Sequence, residues 1–120
     1  MRTAIETDGA PAAIGPYSQA IKVGRLLFVS GQVPLDPVTG DLVASDATAQ
    51  THRVMSNLAA ILDASGASFD DVVRATVFLS DLRDFSEMNE VYAKYFRPPA
   101  PARSTIEVAR LPKDAQVEID

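Results

Sequence analysis

The spacing of hydrophobic and polar positions changes period several times along the 120 residues. Residues 2–6 alternate weakly, which predicts a short first strand. Gln19–Val23 and Leu26–Ser30 are two β-prone runs separated only by Gly24-Arg25, a turn-sized interval that predicts a hairpin. Before them, Ala10–Tyr17 is broken by Pro11, Gly15 and Pro16 and reads as irregular. After them, Asp36–Asp41 is rich in turn formers. From Ala47 the period becomes helical. Ala47, Val54, Met55, Leu58, Ile61 and Leu62 recur at the spacing of one helix face, with Ser45 or Asp46 as N-cap and Gly66 as stop. Asp71–Ser80 is β-branched and nearly continuous, which predicts a central strand. Asp84 then caps a second helix, with Glu87 at the capping-box position. Phe85, Met88, Val91, Tyr92, Tyr95 and Phe96 line one side of it, and Pro98-Pro99-Ala100-Pro101 ends it.

The last eighteen residues return to period two and read as a terminal β-hairpin. Ile106, Val108, Val117 and Ile119 fall on one face, and Arg103, Thr105, Glu107, Gln116 and Glu118 on the other. Two registers keep the apolar sets together, Ile106 opposite Val117 or Ile106 opposite Ile119. In the first, Glu118 faces Thr105 and lies diagonal to Arg103, roughly 7–8 Å away. An arginine, a hydroxyl and a carboxylate so placed form a small-anion site with an acid or base able to handle water. A cross-strand salt bridge on a solvated face has the same pattern.

The element order is strand, strand, strand, helix, strand, helix, strand, strand. Two amphipathic helices cover one face of a mixed sheet, which predicts an α+β two-layer sandwich formed as a single domain over residues 1–120. The other face stays uncovered, and an apolar uncovered face is commonly an oligomer interface.

Composition narrows the chemistry. The chain is 47% hydrophobic and 22% charged, ordinary globular usage, and it has no Cys and one His, His52. Disulfides, thiolate zinc sites and a cysteine nucleophile are excluded. The formal net charge of −5 repels nucleic acid and anionic membranes. No stretch approaches the ~20 apolar residues of a spanning helix, and the N-terminus lacks the apolar run of a signal peptide, so a cytoplasmic location is expected. His52 lies off the apolar stripe of its helix and reads as a solvated surface residue. Tyr17 follows Ile-Gly-Pro, a rigid turn that aims its ring at a cleft or over the core edge. At Ser30-Gly31, glycine either permits a backbone amide to approach an oxyanion or simply forms a bulge or turn at the strand end.

Several blocks together carry a family resemblance: Ala10-Pro-Ala-Ala-Ile-Gly-Pro-Tyr17-Ser-Gln, Phe28-Val-Ser-Gly-Gln-Val-Pro34, Asn57-Leu, Ala75-Thr-Val-Phe-Leu-Ser-Asp81-Leu and Pro101-Ala-Arg-Ser-Thr-Ile-Glu-Val-Ala-Arg-Leu-Pro-Lys-Asp114. In order and spacing, over nearly the whole chain, they resemble the RidA (YjgF-type) family. The resemblance implies a chorismate-mutase-like fold and a homotrimer whose sheets pack into a central barrel, with three clefts between subunits. It implies that Arg103 clasps a substrate carboxylate, that Glu118 positions the attacking water, and that Tyr17 joins them as a catalytic residue. Ser30, Gly31, Asn89 and Thr105 are implied as substrate-binding positions.

The implied reaction is hydrolysis of reactive enamines or imines, such as 2-aminoacrylate or 2-iminobutanoate, to 2-keto acids and ammonia, without metal or organic cofactor. Two other readings stay open: a non-catalytic trimer that binds a keto acid, and an endoribonuclease, which the acidic charge disfavours. The sequence departs from the family pattern in a short, Pro-rich segment between Tyr95 and Arg103, expected to reshape the cleft rim. It also ends two residues after Glu118, where relatives continue the strand and where fraying would loosen the carboxylate.

Overall fold

The structure, a computed structural model, describes residues 1–43 and 46–120. Its elements follow the expected order: β1 (Arg2–Ile5), β2 (Ala20–Val23), β3 (Leu26–Val29), α1 (Ala47–Ala64), β4 (Arg74–Leu79), α2 (Phe85–Ala93), β5 (Ala102–Glu107) and β6 (Val117–Ile119). The result is an α+β fold with two helices and mixed strand pairing.

The β2–β3 hairpin forms as expected, Val23 opposite Leu26 and Ala20 opposite Val29. Its turn needs Gly24, whose φ of +56° lies in the left-handed region. The six strands divide into two sheets, ordered β1-β2-β3 and β5-β4-β6. A bridge between Gln32 and Ile119 links them.

Asp46 caps α1, its carboxylate accepting a bond from the Ala49 amide at 2.9 Å. Ser45, the alternative cap, lies outside the described residues. All six positions of the expected apolar stripe on α1 are buried. The stripe also holds Asn57, fully buried, whose side-chain amide donates to the carbonyls of Val33 and Leu35. Val54, Met55 and Leu58 join Ala75, Val77 and Leu79 of β4, Met88 and Tyr92 of α2, and Val117 and Ile119 of β6 in the main core. Each fully buried Val, Leu or Ile there contributes about 1.5–3 kcal/mol.

Three local expectations are corrected. The strand read as Asp71–Ser80 begins only at Arg74, because Ser68 and Asp71 form a capping box around a one-turn 3₁₀ helix at Phe69–Asp71. Asp84 makes no side-chain cap to α2. Asp81 instead caps a preceding 3₁₀ turn, accepting from the Arg83 amide. The helix stops at Ala93, so Tyr95 and Phe96 pack from the segment after it.

The largest correction concerns the C-terminal hairpin. β5 and β6 do not pair, in either expected register, because β4 lies between them. It runs parallel to β5 and antiparallel to β6. The nearly continuous apolar character of β4 is what suits it to this central place, since Ala75, Val77 and Leu79 are all buried. The segment from Val108 to Gln116, with its 3₁₀ turn at Pro112–Asp114, carries the chain across the end of β4.

The face turned away from the helices exposes Leu26, Phe28 and Ile106, which are 61%, 60% and 44% accessible. Ile106 therefore leaves the apolar set expected of it, and only Val117 and Ile119 of that set are buried.

Candidate active site

The pairing of β4 decides which face each candidate side chain occupies. Residues opposite one another in neighbouring strands share a face. Arg103 lies opposite Ala75, and Thr105 opposite Val77. Ile119 also lies opposite Val77, while Glu118 lies opposite Phe78. Arg103 and Thr105 thus stand on the helix-covered face with the buried Ala75, Val77 and Ile119. Glu118 stands on the other. The expectation that Arg103, Thr105 and Glu118 share one face is overturned, because that face was reckoned from a β5–β6 pairing that does not occur.

The seven candidate residues accordingly fall into two groups. The first is built by α2 and β5. The Arg103 guanidinium carbon lies over the Tyr92 ring, 4.8 Å from its centroid, and 5.6 Å from that of Phe85. Arg103 is half-buried and has no ion pair or hydrogen bond among the described residues. Asn89 lies between Phe85 and Tyr92 on the same face of α2, at the i+4 and i+7 spacing. The hydroxyls of Tyr92 and Thr105 are buried and unpartnered among the described residues. Burial pushes the Tyr92 phenol up. The Arg103 charge opposes this, close enough to attract the oxygen without forming a hydrogen bond of normal geometry.

The second group gathers Glu118 with the β3 end. Gly31 packs directly on the Glu118 carboxylate. A β-carbon at Gly31 would overlap Glu118 Oε2 and come within 3.1 Å of its carboxyl carbon. Glycine here allows the carboxylate its present close approach, and serves no turn with positive φ. Burial, with a smaller contribution from Asp120, pushes the Glu118 carboxyl above the usual range. Ser30 is fixed by its hydroxyl, which donates to the Ser18 carbonyl at 2.6 Å, and by its amide, which donates to Gln19 O at 2.9 Å. Tyr17 is half-exposed, and its hydroxyl accepts from the Ile14 amide at 3.3 Å. A hollow of about 610 Å³ opens beside Tyr17 and Ser30, bounded also by Arg2, Ile21 and Phe28. A second, of about 650 Å³, lies between β3, α1 and the start of β4, and none of the seven candidates lines it.

His52 is less solvated than expected. It is half-buried, and its Nδ1 lies 2.9 Å from the Tyr95 hydroxyl. Lys113 and Asp114 form an exposed turn in which both residues have positive φ, tied down by Arg110 to Asp114 and by Lys113 to the Gly40 carbonyl. Among the described residues no cluster of His, Asp or Glu is arranged to hold a metal ion, and no helix is long and apolar enough to cross a membrane.

Residues 7–120 match the family model described as Endoribonuclease L-PSP. The 2-iminobutanoate/2-iminopropanoate deaminase of Mus musculus is 47% identical over 120 residues, 100% of this chain and 89% of that protein. A Yersinia pestis protein of the conserved Rid family, YyfA, superposes with a TM-score of 0.97 at 48% identity, over 99% of this chain and 95% of that one. The chain belongs to the RidA family. Escherichia coli TdcF, solved with bound serine, is 44% identical with a TM-score of 0.93, over 98% of this chain and 94% of its own. The resemblance read from the sequence blocks is therefore borne out, and the α+β fold is that of Rid-family structures.

Sequence reasoning missed two features of this RidA-family site. Phe85 and Tyr92 read as core positions of an amphipathic helix. Their seven-residue spacing was the available signal, but nothing in it says that a guanidinium lies over the rings. The polar anchors were also missed. Gln19 is buried, with its side chain bonded to Thr7, Ala10 and Pro11, and Gln50 is buried, accepting from the Gln116 amide and donating to the Val43 carbonyl. Gln50 fixes the start of β6 and thereby the approach to Glu118.

Proposed function

We propose that this RidA-family chain is a homotrimeric deaminase that hydrolyses reactive enamine and imine intermediates, such as 2-aminoacrylate or 2-iminobutanoate, to 2-keto acids and ammonia. The observation that carries the reading is the state of its two charged candidates. Among the described residues, no carboxylate pairs with the half-buried Arg103 and no cation pairs with the half-buried Glu118. Each stands ready for an external partner. The names of the mouse and E. coli relatives support a small amino-acid-like substrate.

In this reading the enamine tautomerises to an imine, whose C2 is electrophilic. Arg103 binds the carboxylate through two parallel N–H bonds, which orients C2. Glu118 accepts a proton from water as the water oxygen bonds to C2, giving a carbinolamine. Its nitrogen takes up a proton, and as the hydroxyl gives its proton to a base the C=O bond forms, the C–N bond breaks and ammonia leaves the 2-keto acid. A raised Glu118 pKa brings the base closer to operating pH, where general-base catalysis is most effective. Ser30 and Gly31 frame the carboxylate of Glu118, Tyr17 closes one side, and Asn89 and Thr105 contact the substrate beside Arg103. No cofactor enters these steps, because the substrate is already reactive.

Arg103 and Glu118 lie on opposite faces of one sheet, so the reading places the complete site between subunits. Packing of the exposed Leu26, Phe28 and Ile106 face into a central barrel supplies the trimer. The expected location is cytoplasmic.

A dehydratase that generates the imine, with semicarbazide competing for it, tests the reading. Wild-type protein suppresses semicarbazone formation, while Arg103→Ala and Glu118→Ala each lose at least about 100-fold. Semicarbazone formation equal with and without wild-type protein sinks the proposal. Keto-acid binding that depends on Arg103, without turnover, supports the binding-protein reading instead. Salt-sensitive RNA cleavage would support an endoribonuclease.

A further inference from the structure

We infer that Phe85 and Tyr92 are positioning residues: a two-ring platform on α2 that holds the Arg103 guanidinium in place while leaving its N–H donors open for a substrate carboxylate. The inference rests on the proposed role of Arg103 as the carboxylate clasp.

Buried or half-buried cations are ordinarily paired with an anion. The three ion pairs among the described residues join Arg83 to Asp81, Arg97 to Asp70, and Arg110 to Asp114, all at exposed positions. Arg103, the more enclosed arginine, has none of this. It has two aromatic faces instead, with ring centroids 4.8 and 5.6 Å from its Cζ. The difference is functional. A carboxylate partner would fix the guanidinium equally well, but it would cancel the charge and occupy the fork of donors that reads a planar anion. A ring attracts the cation through its negative face and accepts no hydrogen bond from that fork. The charge and the donors both stay available.

The two rings differ in how firmly they are held. Tyr92 is 5% accessible and belongs to the main core, so its position is set by packing. Its phenol, pushed up by burial, stays neutral at physiological pH, so the ring acts on Arg103 through its face and not as a phenolate. Phe85 is 39% accessible and borders the site from outside the core. Asn89 falls between them on the same helix face, at the i+4 position from Phe85. The stripe Phe85, Asn89, Tyr92 thus turns one side of α2 into a wall for the carboxylate end of the substrate.

Calorimetric titration of the full chain with 2-oxobutanoate, the keto acid that the proposed reaction releases, tests this without requiring turnover. Its uncharged amide serves as the neutral control. Phe85→Leu is expected to weaken 2-oxobutanoate binding about tenfold and to leave binding of the amide unaltered. Added to Arg103→Ala, read at high ligand concentration, Phe85→Leu is expected to change affinity less than about twofold, because the platform acts through the guanidinium. Tyr92→Leu should weaken binding more than Tyr92→Phe, which keeps the ring. Phe85 is accessible enough that Phe85→Leu carries the test even where Tyr92→Leu fails to fold. Wild-type affinity in Phe85→Leu, or an equal further loss on the Arg103→Ala background, overturns the platform. Absence of Arg103-dependent binding in the wild type overturns the reading of Arg103 itself.

Discussion

The two candidate half-sites are held by opposite means. On the helix-covered face, Arg103 rests on aromatic rings and lacks any polar partner among the described residues. On the opposite face, Glu118 is pressed against a glycine and is destabilised as an anion by burial. Neither has a counter-ion among the described residues, but one charge is supported by ring faces and the other is only enclosed by backbone. Placing them on one face would have let them neutralise each other. In the fold they stand on opposite faces of the β5-β4-β6 sheet, Arg103 opposite Ala75 and Glu118 opposite Phe78.

The largest effect is expected when the two half-sites are mixed between chains. Arg103→Ala and Glu118→Ala proteins, each inactive in the imine assay, are expected to regain about a quarter of wild-type activity after being unfolded and refolded together. In the proposed trimer, a site works only where it draws an intact residue from each parent, and random mixing supplies these at one chance in two from each side. A mixture as inactive as its components would show that the halves act within one chain or not at all.

Gly31→Ala probes the acidic half alone. The added methyl displaces the Glu118 carboxylate, and a shift of about 1 Å in a catalytic group costs about 100-fold in kcat. Binding of 2-oxobutanoate at Arg103 should survive, which separates the halves kinetically. Equal loss of both would mean that Gly31→Ala disturbs the fold.

The smallest effect is on stability. Because burial raises the folded pKa of Glu118, the native state holds its proton more tightly than the unfolded chain does. The associated stabilisation is complete at acidic pH and is lost as pH rises through the folded pKa. At neutral pH the ionised side chain is therefore a net cost, and Glu118→Gln should raise the melting temperature by a few degrees. That advantage should shrink as pH is lowered through the carboxylate range. A melting difference that is flat with pH would contradict the burial argument.

Local structure was legible in the sequence because its causes are local. The α1 stripe, the Gly24 turn and the order of elements follow from spacing and from residue conformational preference. The placement of Glu118 was not legible. Alternation along β6 shows that Glu118 opposes its neighbours Val117 and Ile119, but not which strand it pairs with. That depends on β4 entering between β5 and β6, a contact distant in sequence. The same limit hid the platform, since Phe85 and Tyr92 carry the same spacing whether they pack on aliphatic core or on a guanidinium. Arg103 and Glu118 stand out in the sequence as individual candidates, but their relation to one another was misjudged for want of the strand order.

Gln19 has a consequence of another kind. Its side chain accepts from the Thr7 amide and shares its two amide hydrogens among the carbonyls of Thr7, Pro11 and, at 3.3 Å, Ala10, so one buried amide group secures the stretch leading to Tyr17. A loop broken by prolines and glycine would ordinarily exchange its amide hydrogens with solvent almost freely. Here the Thr7 amide is bonded to a buried side chain next to β2, so its exchange is expected to follow the opening of the β2–β3 hairpin and not local fraying.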